Sequence, residues 1–231
     1  MIAVSIVIPH NQVSFDGYEA LKKSSEKVQN EFQIEKFDAV TADLVNTVFK
    51  GNGIKWNYPW EGQTTDFATG LVKRAYPTTY PERRMACFAS HWLLWYKCFK
   101  EDVPLLVLEH DALFVHKFDP QPIIDSKYDI VGINNPLMAT RRAKKFYDIV
   151  KSKKEELQPI PDIDGFDVPQ GLAGNSSYII KPKGAEELIM AVEKNGAWPN
   201  DAIMCKQLIP NMGVTRRFYT KVQGLPSTTT G

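Results

Sequence analysis

Apolar runs and mixed stretches alternate at the start of the chain. Residues 2–8 are mostly apolar and β-branched, and the run stops at Pro9, which is typical of a buried strand. The mixed residues 18–32 predict a helix that begins after a cap at Asp16, and residues 34–40 predict a second strand. An order of strand, helix and strand favours two neighbouring parallel strands.

A long helix and an apolar strand are predicted in the middle of the chain. Between residues 83 and 100 apolar side chains recur at helical spacing, which indicates a largely buried helix. Residues 105–108 are all apolar, as in the central strand of a parallel sheet, and they end abruptly at Glu109-His110-Asp111. These patterns predict an α/β fold in which helices flank a mostly parallel, twisted central sheet.

Other segments are less regular. Residues 50–81 are rich in Gly, Pro and aromatic residues and have no clear period, so we expect a long lid or binding loop there. Residues 177–181 predict a strand, and residues 198–208 predict a helix. We expect one domain over residues 1–223 and a flexible tail over residues 224–231.

The composition is that of a folded protein without a strong overall charge. Apolar residues make up 43% of the 231 residues, and the formal net charge is +1, which excludes a disordered chain. Cys87, Cys98 and Cys205 fit neither a paired disulfide framework nor a CxxC metal site, so we expect reduced thiols. The opening apolar run lacks a basic leader, and no later stretch approaches the roughly 20 apolar residues of a membrane span. We therefore expect a cytoplasmic protein that is neither exported nor embedded in a membrane.

Two carboxylates stand where such a fold binds its ligands. In open α/β sheets ligands bind beyond the C-terminal ends of the strands, and Glu109 and Asp111 directly follow the apolar strand. Carboxylates with this spacing can hold a hard divalent cation that neutralises a diphosphate. The alternative is a polar turn without a ligand, which fits the spacing equally well.

Four motifs occur in a fixed order between residues 80 and 208. They are MACFASHWLLW (85–95), LLVLEHDALF (105–114), GLAGNSSYIIKPKGAEELI (171–189) and WPNDAIM (198–204). They resemble the Cys-x-x-Ser-His helix, the acidic strand end, the Tyr-containing strand with its Lys-Gly-Ala helix, and the acceptor-side motif of glycosyltransferase family 25. That family includes bacterial lipopolysaccharide sugar transferases and collagen galactosyltransferases. The resemblance implies a GT-A fold, a nucleotide-sugar donor, an Mn²⁺ or Mg²⁺ cofactor, and transfer of a sugar onto a hydroxyl group.

The resemblance also implies roles for the acidic residues. Glu109 and Asp111 take the metal and diphosphate role, and Glu109 also contacts the donor. Asp201 matches the acceptor-side Asp of the family, where an inverting transferase needs a general base to deprotonate the attacking hydroxyl. The alternative for Asp201 is a helix cap.

Further donor contacts are expected from the helix that carries the Cys-x-x-Ser-His motif. Ser90 and His91 lie within this motif, and Arg84 precedes them on the same helix. His91 can orient the loop that contains Glu109 or donate to a phosphate of the donor. The alternative is a packed, hydrogen-bonded histidine of the core.

The end of the first strand is the other expected donor contact. Pro9, His10 and Asn11 follow that strand, where contacts to the base and ribose are expected. In the family this position carries an Asp-Arg signature that the chain lacks, and His110 replaces the central acidic residue of the metal motif. These departures leave open a non-catalytic module that binds nucleotide sugars or carbohydrates.

The acceptor is predicted only as a class. A saccharide or a lipid-linked acceptor fits the family. The alternative is a modified DNA base, because residues 135–231 carry 14 basic and 10 acidic side chains and basic surfaces bind the phosphates of nucleic acids.

Overall fold

The computed structural model describes residues 1–76, 78–138 and 142–226. Within these ranges the central sheet has seven strands in the order β2-β1-β5-β9-β7-β10-β8. The strands are β1 (Ile2–Val7), β2 (Ile34–Asp38), β3 (Gln63–Asp66), β4 (Leu71–Arg74), β5 (Leu105–Glu109), β6 (Ala112–Phe114), β7 (Ile130–Gly132), β8 (Leu157–Pro159), β9 (Ser177–Ile180), β10 (Met212–Thr215) and β11 (Thr220–Val222). Two small antiparallel pairs, β3 with β4 and β6 with β11, complete the strands of these ranges.

Most strands of the central sheet point the same way. β1 pairs in parallel with β2 and with β5, and β7 pairs in parallel with β10. β9 lies between β5 and β7 and runs antiparallel to both, and β8 is antiparallel to β10. The predicted mostly parallel sheet is confirmed.

Helices cover both faces of this sheet. They are α1 (Gln12–Lys27), α2 (Val45–Gly51), α3 (Pro81–Glu101), α4 (Gln121–Ile124), α5 (Ala143–Ser152), α6 (Pro182–Asn195) and α7 (Asn200–Ile203). Leu105 and Val107 of β5 pack into the apolar cluster of α3 and α6, whereas Leu106 and Leu108 pack into that of α1. Because successive side chains of a strand point to opposite faces, α1 lies on one face of the sheet and α3 on the other.

α3 is the buried helix that the helical spacing predicts. It spans 21 residues and has Pro81 in its first turn, where the missing N–H of proline is not needed. Phe88, Trp95 and Cys98 are fully buried. The helix ends where Asp102 adopts a left-handed conformation with φ of 52°. Its buried face therefore lies against the sheet and delivers side chains to the end of β5.

The first helix begins earlier than predicted. The cap of α1 is Asn11 and not Asp16, since the Asn11 Oδ1 accepts a hydrogen bond from the Ser14 backbone N–H at 2.9 Å. His10 adopts a φ of 57° immediately before it, so the chain turns as soon as β1 ends. Asn and Asp cap helices equally well. The turn at His10 decides that Asn11 is the cap, and the pattern of apolar positions does not predict this turn.

Two further predictions differ from the structure. The segment 50–81 contains a hairpin, in which β3 and β4 pair from Gln63 with Arg74 to Asp66 with Leu71. The helix predicted over residues 198–208 is only the four-residue α7, because the chain then forms a bridge between Cys205 and Gly171.

Cys87, Cys98 and Cys205 are free. In the described ranges, no helix has the length and apolar character that crossing a bilayer requires. Residues 224–226 have no regular structure, and residues 227–231 of the predicted tail lie outside the described part of the chain.

Candidate active site

The C-terminal ends of β1 and β5 meet at one edge of the sheet. Ile6 is paired with Glu109 in the parallel register, so residues 9–11 and 109–111 leave the sheet side by side. β9 enters at the same edge, where the Glu109 backbone N–H donates to the Ser176 carbonyl at 2.8 Å. Three segments that are far apart in the sequence therefore meet where ligands bind in open α/β sheets.

One face of α3 lies over this edge. Arg84, Cys87 and His91 are three and four residues apart, which places them on the same side of a helix. The His91 Nε2 is 3.3 Å from the Glu109 Oε1, and the Cys87 Sγ is 3.6 Å from the Asn200 Oδ1. α3 thus links the end of β5 with the start of α7.

Glu109 is the carboxylate that the protein itself solvates. Its Oε1 faces His91, and its Oε2 accepts a hydrogen bond from the Ser176 hydroxyl at 2.9 Å. Burial works against ionisation, but the hydrogen bonds to His91 and Ser176 outweigh it and hold the Glu109 pKa below its usual value. Glu109 is therefore anionic at neutral pH.

Asp111 has the opposite environment. Its Oδ1 is buried and, among the residues that the structure describes, has no hydrogen-bond partner. Burial and then the negative charge of Glu109 raise the Asp111 pKa to about 7. A carboxylate in this state is stabilised by any cation that reaches it.

Asp201 is the third carboxylate of the site. It is the second residue of α7, whose cap position is Pro199, so the alternative role as a helix cap is wrong. Its Oδ1 is buried without a partner in the described part of the chain. Burial raises the Asp201 pKa, the charge of Arg84 opposes the rise, and the charge of Glu109 adds to it. Glu109, Asp111 and Asp201 are called the carboxylate cluster below.

A cation and two phenols lie beside Asp201. The Arg84 guanidinium lies 5.1 Å from the centre of the Tyr76 ring, and the rings of Tyr76 and Tyr58 are 5.7 Å apart. Burial, with a contribution from the negative charge of Asp201, raises the pKa of Tyr58 to about 12 and also raises that of Tyr76. Both phenols therefore stay protonated and can donate hydrogen bonds.

The remaining predicted residues are placed differently. The Ser90 hydroxyl accepts from the Val40 N–H at 2.9 Å and donates to the Ala86 carbonyl at 2.8 Å. Asn11 caps α1, and Pro9 and His10 lie at the edge formed by β1 and β5. Arg84, His91, Glu109, Asp111 and Asp201 are the predicted residues that the structure brings together.

His110 points away from the carboxylate cluster. Its ring contacts α1, where a Cβ added to Gly17 would lie 2.8 Å from the His110 carbonyl oxygen and 3.4 Å from its Cδ2. Burial lowers the His110 pKa. The residue that replaces an acidic position of the family motif therefore packs against a helix on the other face of the sheet.

A model of glycosyltransferase family 25, described as an LPS biosynthesis protein family, matches residues 19–204. The chain belongs to this family. The resemblance of the four motifs is thereby confirmed, and the α/β sheet agrees with the GT-A class that it implies. Nothing in the comparisons favours a DNA acceptor or a non-catalytic module.

Proteins similar to the chain include a curated relative and several solved structures. The lipooligosaccharide biosynthesis protein lic2B of Haemophilus influenzae is 22% identical over 124 residues, which are 52% of this chain and 47% of that protein. The chain thus spans about half the length of this relative. The galactosyltransferase LgtC, solved with donor and acceptor sugar analogues, is 12% identical with a TM-score of 0.45, covering 98% of this chain and 88% of that one. Mouse xyloside xylosyltransferase 1 is 10% identical with a TM-score of 0.46, covering 91% and 83%. At these TM-scores the two structures add no argument of their own.

Two sets of side chains have the donor atoms to hold a metal ion. One ligand atom each of Cys87, His91 and Glu109 lie within 4.8 Å of one another, a set that suits a soft or borderline metal. The predicted pair, Glu109 and Asp111, offers oxygen atoms, which suit Mn²⁺ or Mg²⁺. The orphaned, buried Oδ1 of Asp111 among the described residues favours the second set.

Three residues of the site were missed by reasoning from the sequence. Cys87 was expected only as a reduced thiol. Burial, followed by the charges of Glu109 and Asp201, raises its pKa, so it is protonated. Ser176 and Tyr178 contact Glu109 and His91 from β9. Their motif was noticed, but nothing local in the sequence places β9 beside β5.

Proposed function

We propose that the protein transfers a sugar from a nucleoside-diphosphate sugar to a hydroxyl acceptor with the help of a divalent cation. The observation that supports this proposal most is the convergence of the carboxylate cluster with Arg84 at the C-terminal end of β5. The negative charge of Glu109 opposes ionisation of both Asp111 and Asp201, and an external cation would stabilise such a site. Membership of glycosyltransferase family 25 gives this site its chemistry.

Asp111 and Glu109 would hold the cation, which would be Mn²⁺ or Mg²⁺. Bound there, it would neutralise the diphosphate that leaves the sugar. The chain's own part is to hold Glu109 ionised through His91 and Ser176. Asp111, which lies further from the strand, would then contact the cation directly.

Asp201 is the proposed general base of an inverting reaction. Its raised pKa brings the carboxylate closer to the operating pH, which is where a base is most effective. Arg84 lies close enough to Asp201 to oppose that rise electrostatically, and its guanidinium is the proposed contact to the diphosphate. Pro9, His10 and Asn11 remain the proposed contacts to the base and ribose. Ser90 remains a proposed donor-side residue, and its hydroxyl is bonded to the backbone of α3.

The acceptor is proposed to be a growing saccharide, free or lipid-linked. The description of the family as an LPS biosynthesis family and the name of the Haemophilus relative support this class. Residues 1–223 are proposed to form one catalytic domain, because the site draws on residues from Arg84 to Asp201. The free state of all three cysteines supports a reducing compartment, the cytoplasm.

A panel of nucleotide sugars tests this proposal. Each compound is added with and without Mn²⁺, and the unfolding temperature and slow hydrolysis of the donor are measured. A donor at 100 times its dissociation constant should stabilise the protein by about 2.7 kcal/mol. We expect one donor class to bind and to be hydrolysed only with the cation, and binding of no member of the panel would contradict the proposal.

A further inference from the structure

Four side chains form a continuous hydrogen-bonded chain that ends at Glu109. The Trp95 Nε1 lies 2.9 Å from the Tyr178 hydroxyl oxygen, which lies 2.8 Å from the His91 Nδ1. The His91 Nε2 faces the Glu109 Oε1 at 3.3 Å. Trp95 and Tyr178 are fully buried, and His91 is 1% exposed, so bulk water does not reach the first three members.

The direction of the chain follows from what each group can donate. The indole N–H of Trp95 is only a donor, so the Tyr178 oxygen must accept from it. The Tyr178 hydroxyl proton then needs an acceptor, and within the described residues the other group in hydrogen-bond contact with that oxygen is the His91 Nδ1. An Nδ1 atom that accepts carries no proton, and the proton of the neutral ring is then on Nε2.

The Glu109 end of the chain requires the same tautomer. If Nε2 lacked the proton, its lone pair would face the Glu109 Oε1, and two acceptors would oppose each other at 3.3 Å. The Tyr178 hydroxyl proton would at the same time be buried without an acceptor, which is costly. The two ends of the chain therefore select the same state independently.

We propose that Trp95 and Tyr178 are positioning residues that hold His91 as a neutral Nε2–H donor to Glu109. The bond from His91 to Oε1 and the bond from Ser176 to Oε2 fix the carboxylate from both sides. Glu109 is thus held ionised in one orientation, with its remaining lone pairs available to the site. The effect on activity rests on the proposed sugar transfer, whereas the tautomer does not.

This tautomer also decides between the two metal sets. An Nε2 atom that carries a proton has no lone pair for a metal, so His91 cannot be a ligand while the chain is intact. The proximity of Cys87, His91 and Glu109 is then the geometry of a hydrogen-bonded support and not of a metal centre.

Nitrogen NMR of the histidine rings tests the tautomer directly. The chain has only four histidines, and the signal that disappears in His91→Gln identifies His91. We expect a neutral ring with the proton on Nε2, and Tyr178→Phe should weaken this preference because Nδ1 loses its donor. A proton on Nδ1, a doubly protonated ring, or displacement of the Nε2 proton by added Zn²⁺ would overturn the proposal.

Two conservative substitutions separate positioning from packing. His91→Gln can place an amide N–H near the former Nε2, whereas His91→Asn places its amide near the former Nδ1, so Gln should retain more activity than Asn. Tyr178→Phe should lower kcat/KM by roughly 10- to 100-fold, as loss of a supporting hydrogen bond does at such sites. Trp95→Phe leaves the bond between Tyr178 and His91 in place and should have a smaller effect. Equal losses of activity in the Gln and Asn variants, at unchanged unfolding temperature, would contradict the positioning role. A wild-type protein without turnover would instead contradict the proposed function.

Discussion

Two buried acidic regions of this protein are built in opposite ways. In the hairpin of β3 and β4, Asp66 pairs with Lys73 at 2.7 Å, and their side chains are 5% and 3% exposed. The Asp66 Oδ1 accepts from the backbone of Ala68 and from Thr69, and the Lys73 Nζ also donates to the Asn57 carbonyl. Burial opposes ionisation of Asp66, but Lys73 and Thr69 outweigh it and lower its pKa.

In the part of the chain that the structure describes, two members of the carboxylate cluster, Asp111 and Asp201, lack such a set of hydrogen bonds. Within the described ranges the Oδ1 atoms of Asp111 and Asp201 have no hydrogen-bond partner, and burial raises the pKa of both groups. Buried polar groups are nearly always satisfied, so the two orphaned carboxylate oxygens fit a role in binding a ligand. The comparison separates an acidic group that serves the fold from acidic groups that await a ligand.

The position of the described cleft does not distinguish the two acidic regions in this way. A cleft of about 820 Å³ lies beside the ion pair and is lined by Asp66, Lys73, Trp56 and Trp92 among others. It includes no member of the carboxylate cluster. The proposed site is therefore assigned from the unsatisfied carboxylates Asp111 and Asp201 and not from the volume of a cleft.

The largest expected effect concerns catalysis by Asp201. Asp201→Asn should lower the single-turnover transfer rate by about 10²- to 10⁴-fold, because the amide cannot accept the acceptor's proton. Donor affinity and stability should be retained. Asp148→Asn, a change at an exposed aspartate of α5, is the matched control, and a rate for Asp201→Asn close to that control would remove the base assignment.

The buried ion pair should respond in stability and not in catalysis. Lys73→Met leaves Asp66 buried without its cation and should lower the free energy of unfolding by about 3–5 kcal/mol. Urea unfolding measures this loss, and the double variant Asp66→Asn with Lys73→Met should recover part of it. If the single variant were as stable as the wild type, the ion pair would not serve the fold as described.

A smaller effect is expected where Gly171 approaches α7. A Cβ at Gly171 would lie 2.7 Å from the Met204 carbonyl oxygen and 2.8 Å from that of Asp201, both backbone atoms. Gly171→Ala should therefore cost about 1–3 kcal/mol and slow transfer by displacing Asp201. Gly51→Ala, where the added Cβ meets nothing within 4 Å, should neither lower stability nor slow transfer, and equal losses in the two variants would contradict this assignment.

The smallest effect is a pH dependence of opposite sign in the two regions. The lowered pKa of Asp66 means that its stabilising contribution is present above its ordinary pKa and is lost as the pH falls through the folded value. The Asp111 pKa is raised to about 7, so in cation-free protein its contribution is lost as the pH rises through that value. Urea unfolding is measured at pH 5 and pH 8 with a chelator. Relative to the wild type, the free energy of unfolding of Asp111→Asn should be higher at pH 8 than at pH 5. A parallel pH dependence of the two proteins would contradict this assignment.

Local patterns were sufficient for part of the site. The helical spacing over residues 83–100 and the apolar run before Glu109 predicted α3 and β5, and with them the neighbourhood of Arg84, His91 and Glu109. The motif match supplied Asp201 and the family. These features are encoded within single segments of the chain.

Long-range pairing accounts for the rest. Ser176 and Tyr178 reach the site because β9 inserts antiparallel between β5 and β7, a pairing that no local pattern specifies. The hairpin that carries Asp66 and Lys73 was hidden in a segment without a clear period. Local patterns therefore indicate the charged groups of the site but not the residues that form hydrogen bonds with them.

The most direct test compares Asp111→Asn with Asp66→Asn in two measurements on each protein. Calorimetry gives the Mn²⁺-dependent affinity for the best donor of the panel, and urea unfolding gives the stability. We predict that Asp111→Asn loses the Mn²⁺-dependent affinity to a greater extent than Glu109→Gln and does not lose stability. Asp66→Asn should lose stability and keep the affinity of the folded fraction. Unchanged Mn²⁺-dependent affinity in Asp111→Asn would contradict the claim that the carboxylate cluster exists to bind a cation and its donor.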